Sequence, residues 1–286
     1  MFLIIGAIIV VASVVIGFTM VGGQLLALWH VNEIIVICGS ALGAFLIANP
    51  MKVVKASLRE SLGLLKPPAF GAADYLDLFR LLNEILIKIR REGMMAIEDH
   101  VENPENSAIF QKYPKILSDH HLLHFITDCL RLMVGGSMDP NELEALLEEE
   151  LETHHHEALE ASHAMAKVAD ALPGFGIVAA VLGIINTMSI VGSAPPAEIG
   201  MKVASALVGT FLGIFIAYGF VGPMAAAMEG RAHANSKPYE IVKMALVSTS
   251  RGYAPPVAIE FARKLLYSDL RPGFLELEAD LKANKA

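Results

Sequence analysis

The sequence predicts an all-α fold: a polytopic membrane protein with four transmembrane helices and a helical cytoplasmic domain. Three observations carry that reading. Charge is absent from four apolar stretches, Lys and Arg gather at one end of those stretches, and the polar remainder repeats with a helical period. The composition agrees, with 54% hydrophobic and 18% charged residues in 286, where an ordinary soluble domain carries about 25% charge.

Phe2 to Leu28, the first element, contains no Asp, Glu, Lys, Arg or His. Crossing roughly 30 Å of hydrocarbon takes about 20 apolar residues, so this run suffices. It lacks a basic leader and exceeds the roughly 7–15 residues of a signal-peptide core, which favours an uncleaved span. The second run, Ile34 to Ala48, is short. It reaches span length if Trp29 to Glu33 lies in the interface and Asn49-Pro50 ends it; a buried hairpin arm is the alternative. Residues 1–49 therefore hold transmembrane helices 1 and 2. Ala171–Val191 and Val203–Met228, again without charge, supply helices 3 and 4 within residues 171–228. Lys52, Lys55, Arg59 and Lys66 follow span two, and Arg231, Lys237 and Lys243 follow span four. The positive-inside rule then puts both termini, the 50–170 segment and the 229–286 tail in the cytoplasm, and four spans satisfy the parity.

The 50–170 segment holds twelve Lys and Arg against twenty-one Asp and Glu, whereas the 229–286 tail is mildly basic. Tyr75, Leu78, Phe79, Leu82, Ile85, Leu86 and Ile89 form one apolar helical stripe. A second runs through Leu122, Leu123, Phe125, Ile126, Leu130 and Met133 to Gly135-Gly136. Pro140 suits the first turn of a third helix, which meets no breaker before Pro173 and so can continue into span three. Asn103-Pro104 and Tyr113-Pro114 interrupt the intervening stretch.

Few residues suggest chemistry. The run His154-His155-His156, with His163 and nearby glutamates, invites a metal, but it lacks the H-E-x-x-H spacing and consecutive helical side chains diverge by about 100°; a solvated polar helix is favoured. No phosphate loop or nucleophile elbow is present, so no metal, cofactor or enzymatic activity is expected. The net charge of −8 argues against nucleic acid. Cys38 and Cys129 lie in unlike contexts, which disfavours a disulfide framework. Small residues recur at Gly39/Gly43, Ala179/Gly183 and Gly209/Gly213, a spacing that lets helices approach closely, either within the chain or between subunits. Pro173 and Pro223 sit near the cytoplasmic ends of spans three and four, at what reads as matching depth, and could hinge or line one pathway. Thr210 is one of few hydroxyls deep in a span. Proton and ion relays through a bilayer use intramembrane carboxylates or histidines. The charge-free runs hold none, so an ion pathway here would borrow its titrating group from another polypeptide.

Leu172-Pro173-Gly174-Phe175-Gly176-Ile177-Val178-Ala179-Ala180-Val181, Val208-Gly209-Thr210-Phe211-Leu212-Gly213 and Ala217-Tyr218-Gly219-Phe220 resemble the MotA family of flagellar stator proteins, within the MotA/TolQ/ExbB superfamily. So do Gly252-Tyr253-Ala254-Pro255-Pro256, Arg271-Pro272-Gly273-Phe274 and Arg90-Arg91-Glu92-Gly93 with Ala96-Ile97-Glu98. The resemblance runs along essentially the whole chain. It implies a pentameric ring in the bacterial inner membrane, surrounding two copies of a single-span partner, MotB, whose membrane aspartate carries the ion. It implies that Pro173 and Pro223 gate, that Ala180 and Thr210 face the pore, and that Arg90 and Glu98 of a rotor-facing 50–170 domain engage the rotor protein FliG. Read without the resemblance, Arg90 and Glu98 form an ordinary solvated face. Gly174 departs from the family's common alanine and loosens the turn after Pro173.

The function so implied is conversion of ion-motive force into torque, with protons favoured because the long loop and overall length resemble the proton-driven branch. A sodium-driven stator, an ExbB- or TolQ-like energising subunit (usually with three spans) and a passive helical scaffold are the alternatives.

Overall fold

The computed structural model describes residues 2–136 and 138–283. Every regular element among them is helical. Helix α1 covers Phe2–Met20. Gly22, at φ 82°, turns the chain, and a single 3₁₀ turn, Leu25–Leu28, leads into α2, Val31–Ala48. The first charge-free run is therefore a shorter helix plus a turn, because Gly22-Gly23 breaks it where the absence of charge gave no sign of an end. Asn49 closes α2, its Nδ2 donating to Phe45 O at 2.8 Å, and Pro50 precedes α3, Met51–Gly63.

Next come α4, Ala72–Glu92, α5, Glu98–Glu102, α6, Pro114–Ser118, and α7, His120–Gly135. Helix α8 runs unbroken from Pro140 to Met188, as the missing breaker predicted. Pro173 lies inside it, deleting one backbone hydrogen bond without ending the helix. Helix α9, Pro196–Ile216, passes through a π-helical turn, Ala217–Val221, into α10, Gly222–Ser250. The π turn falls just ahead of Pro223, where the helix must absorb a missing N–H, and such turns often mark functional sites. Helices α11, Pro255–Arg263, and α12, Phe274–Ala283, complete the chain.

Among the described residues, four helices are long and apolar enough to cross a membrane: Leu3–Met20, Leu25–Ala48, and windows within Pro140–Met188 and Pro196–Ser250. They expose Ile4, Ile8, Ile47, Ile185 and Leu207, a surface that water would oppose and lipid or neighbouring helices would cover.

The chain divides into two compact units, residues 1–67 with 158–231, and residues 68–157 with 232–286. Boundaries drawn from polarity, at 50, 171 and 229, lie elsewhere because packing carries polar α3 with the first unit. There Val53 and Ser57 are buried, and Arg231 donates to Gly63 O at 2.5 Å and Pro67 O at 2.7 Å, holding the end of α3.

The second unit has a conventional apolar core. Both predicted stripes enter it: Tyr75, Leu78, Phe79, Leu82, Ile85 and Leu86 from α4, and Leu122, Phe125, Ile126 and Leu130 from α7. Leu143 and Leu147 of α8, Val242 and Leu246 of α10, and Ile259 of α11 close around them. The tail motifs serve this packing. Gly252, at φ 86°, makes a turn few other residues could adopt. Pro255 opens α11 at its first position, and Arg271 donates to the closing carbonyls Leu266 O and Lys264 O.

Candidate ion-pathway site

The predicted pathway residues lie along a seam between antiparallel α8 and α9 that is built from missing side chains. A Cβ placed on Gly176 would stand 2.9 Å from Gly209 O and 3.1 Å from Gly213 Cα. One on Gly213 would stand 2.7 Å from Leu172 O and 2.8 Å from Gly176 Cα. Gly183 faces Ala206 in the same way. Backbone therefore meets backbone over several turns, the arrangement small-xxx-small spacing permits in membranes. Ala179/Gly183 and Gly209/Gly213 thus pack within the chain, whereas a Cβ on Gly39 or Gly43 would have nothing within 4 Å among the described residues.

Ala180 and Thr210 flank this seam. The Ala180 nitrogen is 3.2 Å from a Cβ built on Gly209, and Thr210 Cα is 3.4 Å from one built on Gly176. Both side chains are part-exposed in the single chain. Pro173 lies two turns below Ala180 on the same face of α8. Gly222, the neighbour of Pro223, approaches Ala169, four residues before Pro173. Pro223 then lies opposite about residue 168, so the two prolines are offset by about five residues, roughly 7.5 Å, rather than level as the sequence suggested.

Glu33 departs from expectation. Its place in the sequence puts it among interfacial residues before span two, but it lies inside α2, with only 8% of its surface exposed. Its Oε2 is 2.8 Å from a Cβ built on Gly209, and its Oε1 is 3.8 Å from one built on Gly183. The carboxylate occupies a notch that these glycines leave open. The premise that the four spans own no titrating group is corrected accordingly. The sequence held a signal: Glu33, Ile37 and Ala41 recur every four residues and form the buried face of α2. Beside Glu33, His30 precedes α2; its Nδ1 lies 3.1 Å from Ser205 Oγ of α9, and its Nε2 lies 3.1 Å from Ala27 O.

Arg90 and Glu98 occupy an exposed corner of the second unit. Arg90 is in the last turn of α4 and Glu98 in the first of α5, each at the helix end whose dipole suits its charge. Gly93, at φ 88°, makes the turn between them. Neither forms an ion pair among the described residues.

The histidine run diverges as helical geometry requires. The His154 ring is tilted against Tyr239 with centroids 4.3 Å apart, His155 meets His233 at 4.7 Å and Ser236, and His156 lies 3.7 Å from Glu152. Among the described residues no group of three His, Cys, Asp or Glu side chains is placed to share a metal.

Comparison with known proteins adds three findings. Residues 4–93 match the family model described as motility protein A N-terminal, and residues 118–241 match that of the MotA/TolQ/ExbB proton channel family. The chain is 44% identical to motility protein A of Escherichia coli over 287 aligned positions, covering 100% of this chain and 96% of the relative. Its fold is similar to that in the structure of C. jejuni MotAB, with TM-score 0.75, 20% identity and coverage of 93% and 96% of the two chains. It is also similar to the flagellar MotAB stator complex from Bacillus subtilis, with TM-score 0.70, 23% identity and coverage of 99% and 98%.

Proposed function

The chain belongs to the motility protein A family, and on that footing we propose that it is the multi-span subunit of a flagellar stator, coupling proton flow to torque on the rotor. Full-length family membership carries this reading, and the glycine seam beside Ala180 and Thr210 supports it chemically. The chain works in the bacterial inner membrane with both termini in the cytoplasm, as the basic residues after spans two and four favour. A MotB-like single-span subunit supplies a membrane aspartate, and copies of this chain, five by the family pattern, surround it.

A proton crossing about 100 mV releases roughly 2.3 kcal/mol. Protonation neutralises the partner's carboxylate, so it can pass the apolar seam flanked by Ala180 and Thr210; ionisation makes that wall repel it. Alternating the two states moves the ring around its centre. The tightness of the seam makes α8 and α9 move as one body, with Pro173 and the π turn before Pro223 as the places where the helices yield. The exposed corner at Arg90 and Glu98 then meets charges on FliG as it sweeps past.

Co-expression with the partner in a stator-null strain tests the reading, with swimming and proton uptake as readouts. Rescue that is independent of external sodium is expected; the absence of both flux and rescue overturns it. In the same strain, neutralising Arg90 or Glu98 alone should slow swimming only partly, since exposed pairs contribute less than about 1 kcal/mol each. Reversing both, R90E with E98K, should nearly abolish it, and full motility of that double variant refutes their role.

A further inference from the structure

A carboxylate inside an apolar helix bundle is costly unless it is paired, hydrogen-bonded or protonated. Glu33 is such a group. It is 8% exposed in the single chain, before any neighbouring subunit covers it. Its notch lies beside Gly209, six residues inside the charge-free run that begins at Val203, or about 9 Å along the helix. That depth belongs to the apolar layer rather than to its surface.

An N3 glutamate commonly turns back to cap the start of its own helix. Glu33 is at N3 of α2, yet its side chain turns inward, and no hydrogen-bond donor reaches it among the described residues. Helix α1 and the adjoining stretches of α8 and α9 contribute no charge at that level. Among the described residues, the titratable group beside it is His30, one turn toward the outward end. His30 is itself wired: a ring nitrogen facing a carbonyl must carry its proton, so Nε2 donates to Ala27 O while Nδ1 faces the Ser205 hydroxyl. The notch is also not generic space. A methyl at Gly209 would stand 2.8 Å from Oε2, so the bare glycine leaves the space this carboxylate occupies.

We propose that Glu33 is a proton-binding site of this chain, open to the outward side past His30 and Ser205 and backed onto the seam at Gly209, immediately before Thr210. Resting on the stator reading, it deepens it: the proton path has a station on the multi-span subunit as well as on the partner. One proton binds the carboxylate and one leaves it, so the notch alternates between charge −1 and zero. The charged state is costly in that apolar notch and the neutral state is not. Packing alone would need only the shape of the side chain.

A hydrophobic carbodiimide tests this on the full complex in native membranes, because it modifies protonated carboxyls in apolar surroundings. Mass spectrometry of the chain across external pH 5 to 9 should find an adduct on Glu33 that diminishes as pH rises. No adduct at any pH, or one that does not vary with pH, overturns the proposal. In stator-null cells, E33Q preserves the shape and a polar end but binds no proton. It should assemble with the partner, lose most swimming and lose the dependence of the remainder on external pH, while E33D recovers part of both. An assembled E33Q stator that swims as wild type with an unchanged pH profile also overturns it. If instead the wild-type chain gives no rescue, the stator reading fails while the labelling result on Glu33 still stands.

Discussion

Alanine at Gly213 should loosen the α8–α9 seam, and the contacts fix how much. Its methyl would lie 2.7 Å from Leu172 O, 2.8 Å from Gly176 Cα and 3.1 Å from Gly176 N, all backbone atoms. No flexible side chain can swing aside, so the helices must part by about 0.7 Å to restore ordinary contact. A gap of that size forfeits about a quarter to a half of each dispersion contact across the seam. Overpacking costs about 1–3 kcal/mol, and a rigid backbone contact belongs at the upper end. Alanine recovers up to about 1 kcal/mol in helix propensity over glycine, leaving a net loss of about 2 kcal/mol. Gly174 is the internal control: it lies in the same pair of helices, but nothing stands within 4 Å of a methyl there. G174A should therefore be neutral or stabilising by up to about 1 kcal/mol. Unfolding of the purified complex in mixed detergent micelles, followed by helical signal, measures both variants. The reasoning fails if G213A proves as stable as G174A, because then the seam is not a backbone contact.

Two further perturbations probe the second unit. Arg263, nearly buried, donates Nε to Glu260 Oε2 at 2.7 Å, Nη2 to Glu260 Oε1 at 2.8 Å and Nη1 to Pro272 O at 2.8 Å. R263M strands both acceptors and should cost about 3 kcal/mol; a melting temperature within experimental error of wild type would contradict it. Burial, followed by the nearby His121 and His155, holds the His154 imidazolium pKa below the usual histidine range, against a partial opposing pull from Glu157. The unfolded chain then takes up its proton first as pH falls, so stability drops as pH decreases from about 6.5 toward the folded value. Melting the protein between pH 7.5 and 5.5 should show this slope, flatter in H154L; an unchanged slope removes His154 as its source.

Much of the fold was legible because hydrophobic period and packing agree. The α4 stripe from Tyr75 to Leu86 and the α7 stripe from Leu122 to Leu130 are the faces the core buries. Pro140 starts α8, and the lack of a breaker before Pro173 predicted a helix continuing into span three, as it does over 49 residues. Less legible were features that depend on register between helices. Pro173 and Pro223 each lie near a span end in the sequence, but only the contact of Gly222 with Ala169 shows them more than a turn apart. The π turn at Ala217–Val221 has no periodic signature at all. Likewise, nothing in the spacing told Gly209/Gly213, which meet α8, from Gly39/Gly43, whose built Cβ atoms have nothing within 4 Å among the described residues; the two pairs differ only in what lies opposite.

Glu33 shows why counting charge-free runs misplaces a buried ionisable group. Such a run ends by definition at the first charge, so a charged residue always marks a boundary and never an interior. The helix follows a different rule. It begins at Val31, where His30 is the last extended residue, and its buried face is set by a four-residue recurrence in which Glu33 stands with Ile37 and Ala41. Membrane polarity and helix register thus disagree over three residues, and register prevails because Gly183 and Gly209 leave room for the side chain on the partner helices. The family motif around Gly209 and Thr210 then has two constraints rather than one. Thr210 lies beside the seam, while the glycine one residue earlier packs against Ala179 and Ala180 and, at 2.8 Å from a built Cβ, the Glu33 carboxylate.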